Sequence, residues 1–104
     1  MNFEEQAMQL IVNAGNAKSS AMNAIAQAKR GNWGGMRAAL VESDAAMTEA
    51  HKEQTDILQR SLDNPCQGMG MLMVHAQDHL MTAITIMDLA REFCELYEII
   101  QKQE

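Results

Sequence analysis

Glycine and proline are concentrated in two short stretches of this sequence, and that placement limits the fold more than any other feature. Arg30-Gly31-Asn32-Trp33-Gly34-Gly35 holds three glycines. Residues 63–70 hold the only proline, Pro65, and the glycines Gly68 and Gly70. Both residue types end helices and turn the chain. The three segments they delimit are about 27 to 30 residues long, near 40 Å each if wholly helical. The pattern predicts helices over residues 4–30, 34–62 and 71–101, in one all-α domain spanning residues 1–104. Three long helices joined by short connections predict an antiparallel three-helix bundle.

Composition supports helices over sheet. Apolar residues make up 47% of the chain, with 10 methionines, abundant alanine and only 4% aromatics. Straight-chain and small side chains favour helix, and few β-branched or ring residues leave little to build a sheet. A chain of 104 residues has a modest core, so self-association is a natural way to bury more area. The net charge of −6 argues against nucleic acid and anionic membrane surfaces as partners. It suits a partner that presents a basic patch. No apolar run approaches the roughly 20 residues of a membrane span, and the N-terminal residues do not read as a secretory signal. Cys66 and Cys94 lie far apart, which reads as two free thiols in a reduced, cytoplasmic protein.

Three-and-four spacing sets candidate seams. The first segment offers Met8, Ile11, Val12, Gly15, Ser19, Met22 and Ile25 or Ala26. The second offers Met36, Leu40, Met47, His51, Gln54, Leu58 and Leu62. The third offers His75, His79, Thr82, Ile86, Leu89, Phe93, Leu96 and Ile100, a heptad run whose far half is ordinary apolar core. Its near half is polar, and polar groups facing a bundle interior need partners. His75, Asp78 and His79 stand at i, i+3 and i+4, on one helical face. His75 also sits near the start of its helix, where free amide donors favour an anion.

A neutral imidazole is a good nitrogen nucleophile near neutral pH. The same three residues also fit a non-catalytic metal-binding helical bundle, or a structural cluster. Ala76 stands where a zinc protease needs its glutamate base, so that chemistry is excluded. Turning the chain near residue 66 brings His75 opposite residue 57. Gln54 and Leu58 are then its expected cross-helix neighbours, with the Gln54 amide in reach of a ring nitrogen or of the bundle interior. His51 reads as structural, and Trp33 as a turn anchor.

Val74-His75-Ala76-Gln77-Asp78-His79-Leu80-Met81 resembles the active-site segment of the lactose/cellobiose-specific enzyme IIA family of the bacterial phosphotransferase system. Residues 10–19 resemble that family's first helix, Ala28-Lys29-Arg30-Gly31-Asn32-Trp33 its first turn, and residues 50–58 its second helix. The resemblance implies a three-helix subunit assembled as a homotrimer. It implies a phosphoryl carrier that takes its group from HPr onto His75 and passes it to a cysteine of enzyme IIB. Enzyme IIB in turn serves the membrane component, enzyme IIC, and a β-disaccharide of the lactose, cellobiose or chitobiose class. His79 and Gln54 would support the site. Asp78 would meet its two copies at the trimer axis around Mg²⁺, one ion per trimer, as three close carboxylates require a shared proton or cation. The loop at residues 63–70 matches no family motif.

Overall fold

The computed structural model describes residues 2–64 and 70–103. They form three helices and no strand: α1 (Phe3–Lys29), α2 (Trp33–Asp63) and α3 (Met71–Lys102). The molecule is a rod of 57 × 17 × 17 Å, so each helix runs most of its length. Residues 65–69, with Pro65 and Cys66, lie outside the described residues.

Local chemistry accounts for the helix ends. Asn2 caps α1 in a reciprocal box: its side chain accepts from the Glu5 amide while the Glu5 carboxylate accepts from the Asn2 amide. α1 ends in a Schellman turn. The amide of Asn32 donates to the Gln27 carbonyl and that of Gly31 to the Ala28 carbonyl. This turn needs a left-handed residue, supplied by Gly31 at φ +75°. Asn32 then caps α2 by accepting from the Gly35 amide. α3 starts at Gly70 with no side-chain cap.

α1 is the central helix. α2 and α3 each pack along it and scarcely touch one another. The buried seam of α1 is Ala7, Leu10, Ala14, Ala17, Ala21, Ala24 and Ala28; that of α3 is Met73, Ala76, Leu80, Ala83, Met87, Ala90 and Cys94. Both alternate by three and four. Alanine fills six of the seven α1 positions and every second α3 position, between Met73, Leu80, Met87 and Cys94, so the two helices approach closely. Burial pushes the Cys94 thiol up from its ordinary pKa, which keeps it protonated as a packing group.

The larger stripes expected as core lie outside it. Met8, Val12 and Met22 of α1 are exposed, as are His51, Leu58 and Leu62 of α2; only Met36 and Met47 of the α2 stripe are buried. On α3, Leu89 is 53% exposed, Phe93 46%, Leu96 50% and Ile100 47%. The heptad is real, but it faces away from the alanine seam, about 100° round the helix. Hydrophobicity scales favour the large residues, whereas close helix packing selects the small ones.

Buried polar groups are few and tied. The Ser43 hydroxyl donates to the Ala17 carbonyl at 2.7 Å. Gln6, 3% exposed, donates to Asp56 and accepts from Arg60, whose guanidinium lies 4.4 Å from the Phe3 ring centre. Between α2 and α3, the half-buried Gln54 donates to Gln77 at 3.1 Å and, at the surface, Arg91 pairs with Asp44. The Asp44 hydrogen bond raises the Arg91 pKa above its ordinary value.

Candidate functional site

The first two turns of α3 bring His75 and His79 together near one end of the rod. Spacing by four stacks them on one face. Their Nε2 atoms lie 3.0 Å apart, with rings edge-to-face at 89° and centroids 4.4 Å apart. At that distance one Nε2 donates and the other accepts, so the two rings hold complementary tautomers. His75 is exposed and His79 half-buried. A nitrogen on an exposed ring, oriented by a more buried one, can act as a nucleophile toward a partner that docks from solvent.

Met71 and Val74 are exposed on the same first turns, and Leu58 and Leu62 are exposed at the C-terminal end of α2. Asp78 is exposed on the outer surface of α3, one turn from His75. Among the described residues, no three His, Cys, Asp or Glu side chains of one chain gather as a metal-ligand set. A cation at Asp78 would take its further oxygens from outside this chain.

Gln54 does not reach the histidines. Its amide is engaged by Gln77, whose own amide is 4.0 Å from the Met73 sulfur. The axial position expected for Gln54 is correct, but its face is not. Gln77 stands two residues from both His75 and His79, about 200° round the helix from each. The side of α3 that meets α2 is therefore opposite the side that carries the imidazoles. Gln77 is the partner that spacing on one helix did not reveal; its signal was its place in one column with Arg91, two heptads on. His51 is exposed on the outer face of α2, away from the pair.

The family model for the lactose/cellobiose-specific IIA subunit of the PTS system matches residues 5–98. The chain belongs to this family, a class of phosphotransferase components. The lichenan-specific phosphotransferase enzyme IIA component of Bacillus subtilis (strain 168) is 44% identical over 101 residues, covering 97% of this chain and 92% of the relative. The crystal structure of the PTS cellobiose-specific enzyme IIA from Bacillus anthracis superposes with a TM-score of 0.94 at 39% identity, covering 100% of this chain and 95% of that one. The IIA(chitobiose) subunit in the solution structures of its complex with HPr, from the Escherichia coli phosphotransferase system, gives a TM-score of 0.85 at 36% identity. There the coverage is 97% of this chain and 98% of that one. No helix among the described residues is long and apolar enough to cross a membrane.

Proposed function

We propose that this chain is the phosphoryl carrier between HPr and enzyme IIB in a cytoplasmic relay serving uptake of a β-disaccharide, with His75 as the acceptor. The observation that carries the reading is the exposed His75 ring with its Nε2 set against the His79 Nε2 at 3.0 Å. When His79 donates, the His75 Nε2 keeps its lone pair and needs only a side-chain rotation to turn it outward. That lone pair attacks the phosphorus of the donor. A nitrogen–phosphorus bond forms on His75 as the bond to the donor breaks, and its electron pair leaves with the donor. The second transfer runs in the same sense, with a cysteine sulfur of enzyme IIB forming a bond to phosphorus as the His75 bond breaks. Positioning and charge stabilisation do most of the work in such in-line transfers. The start of α3, one turn from His75, favours the added negative charge. The HPr complex of the chitobiose relative supports HPr as donor.

The exposed apolar seam of α3, with Met8, Val12 and Met22 of α1, supports a homotrimer in which two further copies cover it. Asp78 would then face its counterparts and hold Mg²⁺ through carboxylate oxygens, which suit a hard cation. The ion would offset carboxylate repulsion there, and the carrier chemistry belongs to His75.

Incubation with phosphoenolpyruvate, enzyme I and HPr, followed by intact mass spectrometry, tests the carrier role. One acid-labile phosphoryl group per chain is expected on the wild type and none on His75→Gln. An unmodified, folded wild type in an assay that phosphorylates a known carrier would sink the proposal.

A further inference from the structure

Away from the far end, where Cys94 and Tyr97 join a cluster with Trp33 and Leu40, the buried seam between α1 and α3 is repetitive. One column of α1 is Ala7, Ala14, Ala21 and Ala28; the other is Leu10, Ala17 and Ala24. α3 sets Met73, Leu80, Met87 and Cys94 beside Ala76, Ala83 and Ala90. Moving α3 by one heptad, about 10.5 Å along its axis, lays alanine where alanine was. It also exchanges Leu80 with Met73 or Met87, a change that packing tolerates well, while at the far end Met87 and Cys94 exchange. On the flank, Ile11 and Ile25 exchange with Lys18, whose stem can lie on apolar surface while its charge stays in water. From Asp63 to Met71 the chain can span up to roughly 26 Å, more than twice the axial shift.

α2 is keyed to α1 differently. Its own column is Met36, Ser43, Ala50 and Ile57, four unlike side chains, and Ser43 and the Gln6 network add specific polar ties. Among the described residues, side-chain hydrogen bonds tie α3 to α2 at Gln54–Gln77 and Asp44–Arg91. Gln77, Ile84 and Arg91 share one column at heptad spacing. A one-heptad shift therefore puts Ile84 where Gln77 or Arg91 stood: in one direction the half-buried Gln54 amide then faces hydrocarbon, and in the other the exposed Asp44 loses its ion pair. Single polar residues in a repetitive apolar seam commonly set register this way.

We propose that the Gln54–Gln77 and Asp44–Arg91 links form a register lock for α3, and that removing both lets the helix carrying His75 shift by one heptad along α1. The lock keeps His75 level with the end of α2 that bears Leu58 and Leu62. It holds whatever chemistry His75 performs.

Pulsed electron paramagnetic resonance tests this with nitroxides at Asn16→Cys and Glu95→Cys, both exposed sites, in a Cys66→Ser, Cys94→Ala background. Excess unlabelled chain restricts the measured pairs to one molecule. The background protein is expected to give one distance. Adding Gln77→Leu with Arg91→Met is expected to give a second distance, displaced by several ångströms and populated at roughly a tenth or more, at unchanged helix content. One unchanged distance in that variant overturns the proposal. Loss of α3 helicity without a second distance also overturns it, because the links would then stabilise the helix without choosing its register.

Discussion

A pair of imidazoles 3.0 Å apart through like-named nitrogens is a directional object, since a neutral ring donates from one nitrogen only. His79 is the more buried partner and so the better anchored. Removing its ring removes the donor that fixes the His75 tautomer, so His75 can carry its proton on Nε2, where no lone pair is left to attack. In His79→Ala, phosphoryl loading is expected to slow by on the order of 10²-fold. Thermal stability should change little, because the site is at the surface and away from the seam. A mass-spectrometric time course, with a melting curve on the same sample, checks both halves. Equal loading rates for variant and wild type would remove His79 from the site. Asp78, one turn from His75, makes no hydrogen bond or ion pair with the two imidazoles, and its expected role belongs to contacts beyond one chain.

At the scale of the helices, the alanine seam governs stability. Ala83 is fully buried at 0% exposure, so Ala83→Leu must push α1 and α3 apart. The expected cost is about 1 to 3 kcal/mol, from overpacking, read as a lowered denaturant midpoint. A midpoint equal to wild type would mean that the seam is loosely packed. This contrast also explains what was legible in the sequence. Helix number and breaks could be read because Gly31, Asn32 and Gly35 act locally, through a left-handed turn and a cap. His75 and His79 could be paired because spacing by four is a property of one helix. The core could not be read from side-chain size, since the seam is chosen by how close two helices can come, and alanine wins that contest while Leu89 and Phe93 stay outside. Gln54 was placed at the right height and on the wrong side, because height follows from chain length alone and direction depends on which flank of α3 meets α2.

The whole molecule is a thin rod that leaves a long apolar strip uncovered on α3, and the proposed trimer is the arrangement that closes it. Leu89→Asp would place three carboxylates in that closed strip. Association is expected to weaken by on the order of 10²-fold or more, seen in sedimentation equilibrium as a shift from trimer to monomer. A variant that sediments like wild type would show that Leu89 lies outside the contact. The alanine seam bears on what changes such a chain can accept. In most domains the bulkiest buried positions are the least forgiving of replacement. Here the alanines spaced along α1 and α3 are as unforgiving as the buried Leu10 and Leu80 and admit almost nothing larger, while the bulky stripe outside can vary as long as its partner surface varies with it. Divergence within such a lineage would then record its assembly partners on the large residues and its own architecture on the small ones.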